Sequence, residues 1–566
     1  FISPHDHNKV YVGSQYVHMT TNGGQSWTII SPDLTTNDKN RQQGMDSLTP
    51  LDYGDEDCAL FALAESPLEE GLIWAGTNDG LIQLTRDGGA NWSNVTSNIP
   101  NLPTWGTFRN IEPSRYDPGT CYITVSFHEE NNRAPYVYKT SDYGQSWKSI
   151  ISGIPDSVLS YTRCIREDPV RQGLLYLGTE NALYVSFNDG AKWLPLQINL
   201  PHAPVHWMVV QEHFNDLVVG THGRGFWILD DITPIQQLTA EVLQSEAYLF
   251  PPRPVYRLHN ITAPLAQRGD PCVGENPPYG ASINYYLKTA GTEQVKISIL
   301  DEKGQTIRTL NGPKDGGINR VWWNLRSELS KETRLRTSPL YAPWMAVGPQ
   351  GWRPLLPSGG SFDNDFEGGG RITLLAPPGQ YTVRLSVGEK EFSQELIVKK
   401  DPNSAGSEED IIAQTKVLLE IRDNIESVVE MINQLEWIRK QLYDLKALLI
   451  DDKRAETIIV SGKELDDKII SAEQNLFQLK VIGKGQDSWY YRGPSKLINR
   501  LLSLVRSVGK ADFPPTTQHI EHHKELKAKL RESRSQFDEI LKNDLPAFNG
   551  LLKENDLPHL ITIKIP

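Results

Sequence analysis

The sequence predicts a multidomain, mainly β chain: repeated β blades, then a β-sandwich, then an α-helical bundle. Three observations carry this expectation. An eight-residue pattern recurs four times within the first two hundred positions, the hydrophobic period becomes two from about position 281, and it becomes three-and-four after position 401. At 566 residues the chain is also too long for one core.

The recurring segments are Thr20-Thr-Asn-Gly-Gly-Gln-Ser-Trp27, Thr85-Arg-Asp-Gly-Gly-Ala-Asn-Trp92, Thr140-Ser-Asp-Tyr-Gly-Gln-Ser-Trp147 and Ser186-Phe-Asn-Asp-Gly-Ala-Lys-Trp193. In each, an Asp or Asn (Asn22, Asp87, Asp142, Asn188) can accept turn N–H groups, and a following Gly can take positive φ. The closing Trp (Trp27, Trp92, Trp147, Trp193) brings a large surface to cover the strand pair. A β-rich run precedes the boxes, as in Val10-Tyr-Val-Gly-Ser14, Ile73-Trp-Ala-Gly-Thr77 and Leu175-Tyr-Leu-Gly-Thr179. The run returns as Leu217-Val-Val-Gly-Thr221, and setting Gly178-Thr179 over Gly220-Thr221 puts Asp230-Asp231 on Asn188-Asp189. A fifth, decayed repeat is therefore expected. Box starts at 20, 85, 140 and 186 suit four-stranded blades with variable loops.

These boxes resemble those of the Asp-box (BNR) β-propellers, which include sialidases, xyloglucanases and sortilin-type propellers. Gly220–Ile232, Leu60-Phe-Ala-Leu-Ala-Glu-Ser-Pro67, Asn110-Ile-Glu-Pro-Ser114 and Leu175-Tyr-Leu-Gly-Thr-Glu180 are similar to a sortilin-like bacterial group often labelled glycosyl hydrolase. The resemblance implies a secreted, periplasmic or cell-surface protein, and assigns the box a peripheral, structural place. The chain opens on Phe1-Ile-Ser-Pro4 and enters a strand at once, so it is expected to be the C-terminal part of a longer propeller protein. The N-terminal remainder or a partner subunit would then complete the arc, whose strand edges are otherwise a liability.

Residues 1–240 are assigned to the blades and the Pro-rich stretch 241–280 to a connector. Period-two runs such as Ser282–Leu287, Val295–Leu300, Thr306–Leu310 and Asn319–Leu325 predict a sandwich over 281–400, with an irregular insertion at 326–370. The Pro378-Gly-Gln-Tyr-Thr-Val383 step resembles immunoglobulin-like modules. Ile411, Leu418, Ile421, Ile425, Ile432 and Leu442 lie on one stripe of a long helix, and 465–479, 496–508 and 516–541 follow the same period. A bundle of about four helices over 401–550 is expected, ahead of a tail at 551–566.

For chemistry, Thr221-His-Gly-Arg-Gly-Phe-Trp227 is the sharpest candidate: two glycines let the backbone bend so that Arg224, beside His222, can present its guanidinium fork to a ligand. A glycosidase instead needs two carboxylates, roughly 5–9.5 Å apart. The sources are Asp55-Glu56-Asp57, Glu129-Glu130 beside His128, Glu167-Asp168, Glu180 and Asp230-Asp231, with Glu180, Asp57 and Asp230 foremost. Glu180 is equivalent by repeat to His222. The leading expectation is a binding or scaffold protein holding a peptide or glycan on its axial face. A polysaccharide-cleaving glycoside hydrolase is the alternative. No metal or cofactor is expected: His519, His522 and His523 lack a second ligand segment, and His5-Asp-His7 sits in a turn. A net charge of −13 argues against nucleic acid, and no apolar run reaches spanning length. Cys58, Cys121, Cys164 and Cys272 show no metal spacing and are expected to be free, buried thiols.

Overall fold

A computed structural model describes residues 1–39, 58–259, 274, 276–291, 293–340, 343–344, 347–355, 366–367, 371–449, 455–479 and 495–562. The chain forms two compact units, Phe1–Thr239 and Ala240–Pro566.

Unit 1 is an arc of β-propeller blades. Blade 1 has strands β1 (Val10–Gly13), β2 (Val17–Thr20) and β3 (Thr28–Ile29), and an isolated bridge at Ile2↔Val10 marks its inner edge. Blade 2 has β4 (Leu60–Glu65), β5 (Ile73–Thr77), β6 (Ile82–Thr85) and β7 (Ser93–Asn94), and blade 3 has β8 (Thr107–Pro113), β9 (Cys121–Phe127), β10 (Asn132–Thr140) and β11 (Lys148–Ser149). Blade 4 follows with β12 (Thr162–Glu167), β13 (Leu175–Thr179), β14 (Leu183–Ser186) and β15 (Leu194–Pro195). Blade 5 has β16 (Val205–Gln211), β17 (Asp216–Thr221) and β18 (Phe226–Leu229). Every blade is an antiparallel meander in sequence order, and the inner strands β4, β8, β12 and β16 pack each against the next.

The four boxes share one hydrogen-bond set. The first hydroxyl (Thr20, Thr85, Thr140, Ser186) donates to the Asn or Asp carboxyl or amide oxygen and accepts the Gly N–H at 3.0 Å. The same oxygen accepts the seventh residue's N–H at 2.8–3.0 Å. Two successive positions are left-handed, not one: Gly23, Gly88, Tyr143 and Asp189 precede the glycines, with φ of 59–70°. The tryptophans do not simply cover their own strand pair. The indole N–H of Trp92 donates to the Ile30 carbonyl and that of Trp193 to the Ile150 carbonyl, while Trp147 meets Trp74 edge-on at 5.9 Å. In each case the partner lies on the preceding blade. A Cβ on Gly89 or Gly190 would stand 2.3 Å from the Ile30 oxygen or 2.6 Å from Ile150, which is why this position is glycine. Trp27 is exposed.

The fifth repeat differs from the superposition by one residue. Gly178 pairs with Leu183, but Gly220 pairs with Phe226, because the β17–β18 loop is one residue longer. Asp231, not Asp230, therefore matches Asn188. Its carboxylate accepts the Thr233 N–H and hydroxyl and opens helix α1 (Thr233–Gln237) in place of an outer strand.

Unit 2 begins with α2 (Ala240–Gln244). The Pro-rich stretch contributes β19 (Ala247–Leu249) and β20 (Val255–Arg257) to two sheets. Residues β21 (Ala281–Leu287), β22 (Val295–Leu300), β23 (Thr306–Gly312), β24 (Gly317–Trp323), β27 (Gly379–Val387) and β28 (Lys390–Lys400) supply the rest, with the short pair β25 (Phe366–Glu367) and β26 (Arg371–Ile372) apart. The sheets run β19-β21-β24 and β20-β28-β27-β22-β23 and share one core containing Ile283, Tyr285, Ile297, Trp323, Val383 and Leu396.

The bundle comprises α3 (Glu408–Leu448), α4 (Glu456–Leu476), α5 (Leu497–Val508), α6 (Thr517–Glu539) and α7 (Leu545–Glu554), the last two joined by a π turn at Ile540–Asp544. Ser407 and Asp410 form a reciprocal cap on α3. The irregular segment before β25 lies along α3: the N–H groups of Arg334 and Thr337 donate to Asn433 and Glu436, and Leu335 and Leu355 join the bundle core. At its centre Arg439 donates to Glu473 (2.8 Å), Asp466 (2.9 Å), Glu436 (3.3 Å) and the Tyr443 hydroxyl (2.8 Å). Burial pushes the Glu473 carboxyl well up, with Glu436 adding to the shift and Arg439 opposing it.

Cys58, Cys121 and Cys164 are free and buried, and Cys272 lies outside the described residues. Among the described residues no cluster of His, Cys, Asp and Glu could hold a metal, and no helix is long and apolar enough to cross a membrane. His519 caps α6 with Thr516, whereas His523 is buried against Asn424.

Candidate functional site

Each inner strand carries a bulge at the same register. The pairing jumps between Leu60 and Ala62, Phe108 and Asn110, Thr162 and Cys164, and Val205 and Trp207. The extra residues are Phe61, Arg109, Arg163 and His206. A bulge breaks the strict in/out alternation and re-aims one side chain, a device found beside functional sites. Repeating it on four neighbouring inner strands gathers four side chains at one end of the arc's axial face.

The loops between second and third strands meet them there. Arg109 donates to Glu129 at 2.9 Å and lies over the Phe61 ring at 4.7 Å. Arg163 donates through Nε and Nη2 to Glu180 Oε2, at 2.8 and 2.7 Å, and covers the Tyr161 ring at 5.0 Å. His128 stacks on Tyr161 at 5.1 Å, linking blade 3 to blade 4, and His206 stacks on His222 at 5.2 Å. Burial lowers Arg109, with Glu129 opposing and Arg163 reinforcing the shift. Burial also lowers His128 and His206, the latter helped by Arg163 and His222, so both rings favour the neutral form. Burial and a hydrogen bond to Glu180 raise Tyr161.

The inner strands also line a cavity of about 720 Å³, reaching from Val12 past Phe61, Arg109 and Glu112 to Arg166 and Trp207. Arg166 covers the Trp207 ring at 4.2 Å and donates to Glu112 at 3.2 Å. Burial nevertheless raises Glu112 from the usual carboxylate range, against the pull of Arg166. The other wall carboxylates hold the blades together. Glu167 accepts from the Ser114 hydroxyl of blade 3, and Glu65 accepts from the Tyr11 hydroxyl of blade 1 at 3.4 Å.

The sequence candidates separate accordingly. Glu180 and His222 sit in the cluster. Arg224 lies on the exposed tip of the β17–β18 loop, its guanidinium donating to the Gly223 carbonyl, with Gly223 and Gly225 at φ +81° and +71°. That loop follows the second strand of its blade, β17. Asp230 follows β18, away from the bulge row, and Asp57 lies outside the described residues. Sequence reasoning missed Phe61, Arg109, Arg163 and His206. The available signal was their shared place, two residues before Leu63, Ile111, Ile165 and Met208, the recurring apolar residue of each inner strand.

No family model matches the sequence, and no curated protein matches it. Solved structures similar to the chain include the GH74 xyloglucanase from Xanthomonas campestris, with 12% identity, 69% of this chain, 57% of that one and a TM-score of 0.32. YCF48 from Cyanidioschyzon merolae matches with 15% identity over 30% of this chain and 53% of its own, at a TM-score of 0.23. Sqt1 of Saccharomyces cerevisiae matches with 10% identity over 70% and 82%, at 0.27. The chain thus spans less than two thirds of the first two. The propeller assignment stands on the strand order and blade joints of the chain itself.

Proposed function

We propose that unit 1 is a binding module that holds a peptide or glycan at the bulged end of its axial face. The observation that carries this is the row of four in-register bulges, which presents Phe61, Arg109, Arg163 and His206 together. An aromatic ring, two guanidinium groups and one imidazole, with His222 stacked on it, supply a stacking surface and directional donors around one concavity. Arg224, on its flexible-backbone tip, would reach the same ligand from the rim. Placement outside the cytoplasm belongs to this reading and rests on the resemblance to sortilin-like Asp-box proteins.

Hydrolysis finds less support. Glu180 and Glu129 are engaged by arginines, and Glu65 and Glu167 are spent on blade joints. Glu112, raised by burial on the cavity wall, is the specific observation that keeps a hydrolase reading in play. The deciding experiment screens the whole chain against a peptide library and a panel of neutral and acidic polysaccharides. Capture that Arg163→Ala abolishes while the β-sheet circular dichroism is unchanged supports the binding reading. Release of reducing ends that stops in Glu112→Gln would replace it with the hydrolase.

A further inference from the structure

The segment laid along α3 carries a pair of arginines that the bundle does not use. Leu335 and Arg353 form an antiparallel bridge through N–H···O bonds of 2.9 and 2.8 Å, and Leu335 packs into the bundle core. Side chains alternate along such a run, so Arg334 and Arg336 take the side opposite Leu335. There each guanidinium lies over an indole, Arg334 over Trp352 at 5.5 Å and Arg336 over Trp437 at 4.6 Å.

The carboxylates at hand are committed elsewhere. Glu436 gives its oxygens to the N–H groups of Arg336 and Thr337, the Thr337 hydroxyl and Arg439. Glu332 approaches Arg334 only to 3.6 Å, beyond hydrogen-bond range. Among the described residues the Arg336 guanidinium has no ion pair and no hydrogen bond, and its Nε is buried. The indole N–H of Trp437, whose ring it covers, is likewise buried without an acceptor. Burial and the neighbouring Arg334 charge lower Arg336, with Glu436 opposing. Two like charges side by side, with buried donors left over, call for an acceptor that brings negative charge.

We propose that Arg334 and Arg336 hold a tetrahedral oxyanion, a phosphate or sulfate group, beside Trp437. A doubly charged group balances both guanidiniums, and its several oxygens can meet two planar forks at once. The site belongs to unit 2 and is independent of the reading given to unit 1.

Titration calorimetry of the whole chain with sodium sulfate, inorganic phosphate and glycerol 2-phosphate, at low ionic strength, tests this. Saturable uptake of one anion per chain is expected, and Arg334→Met and Arg336→Met should each weaken it at least about tenfold. Without the anion, Arg336→Met should melt at or above the parent temperature, because it deletes a buried donor that has no acceptor. Should that variant fail to fold, Arg336→Lys takes its place: it keeps the charge, loses the fork and should lose the same affinity. Equal affinity for phosphate and its glycerol ester assigns the site to the free ion, and tighter binding of the ester assigns it to a phosphorylated molecule. No saturable uptake of any of the three, or uptake indifferent to both arginines, overturns the proposal. So does a melting temperature that falls in anion-free Arg336→Met, which would make Arg336 a clamp on Trp437.

Discussion

Two clusters of arginine and glutamate occupy this chain, and their surroundings give them opposite uses. In unit 2, Arg439 is buried among Glu436, Glu473 and Asp466, and its bonds to Asp466, Glu473 and Thr337 tie α3 to α4 and to the segment laid along α3. In unit 1, the Arg109–Glu129 and Arg163–Glu180 pairs stand at the ends of bulged strands with aromatic rings beside them and solvent within reach. The first cluster is bound by what its removal would strand in the interior. The second has little such constraint, so its charges can be directed at something outside the fold.

Replacing Arg439 by Met tests the first half of this contrast and should have the largest effect. It leaves buried carboxylates without their partner, at a cost of about 3–5 kcal/mol. Urea unfolding followed by the helix signal checks it, and an unchanged midpoint would mean the cluster is not holding the bundle. The same cluster should respond to pH. Because Glu473 titrates higher when folded than unfolded, its contribution is complete below the ordinary carboxylate range and is lost as pH rises toward the raised folded value. The slope can reach about 1.4 kcal/mol per pH unit. Glu473→Gln should flatten the loss of helix stability as pH rises above the ordinary carboxylate range.

Arg163→Ala sharpens the other half. It should cost stability only about 1–2 kcal/mol, yet remove ligand capture, and Arg163→Lys should not rescue capture if the guanidinium fork is what binds. Calorimetric melting beside a capture assay separates the two readouts. A melting temperature that collapses in Arg163→Ala would make the pair structural, like its buried counterpart.

The smallest effect concerns the boxes. Asp87 is lowered by hydrogen bonds from Asn91 and Thr85; on Asp142, burial pulls upward but the bonds from Ser146 and Thr140 outweigh it. A depressed folded value means stabilisation that is present above the ordinary carboxylate range and lost as pH falls through the folded value. Boxes 2 and 3 should therefore loosen in acid while those built on Asn22 and Asn188 do not. Amide exchange at Asn91 and Ser146, compared with Ser26 and Lys192, measures the difference, and Asp142→Asn should abolish it for Ser146.

The boxes were legible in the sequence because each of their bonds spans four residues or fewer, so residue types at fixed spacing dictate the geometry. The long helix was legible for the same reason, through its stripe from Ile411 to Leu445. The bulge row was not. A bulge is defined by pairing across strands, and Arg109 or Arg163 differs from an ordinary strand residue only in what stands opposite. The function of Trp92 and Trp193 was half legible: that they bury surface follows from residue type, but that the surface belongs to the previous blade follows from packing. Arg224 drew attention through its flanking glycines, which do take left-handed φ, yet backbone freedom put it on a loop tip and left the clustering to His222.

The joint made by each box has a consequence for how the arc comes apart. Trp92, Trp147 and Trp193 each lean on one neighbour and no farther, so the energetics of unit 1 are those of a one-dimensional chain of coupled segments. Such a chain frays from its termini inward instead of melting as a block. Blade 5, closed by α1 in place of a box, is where that unzipping should start, and the amides of β8 and β9 at the middle of the row should be the last to exchange.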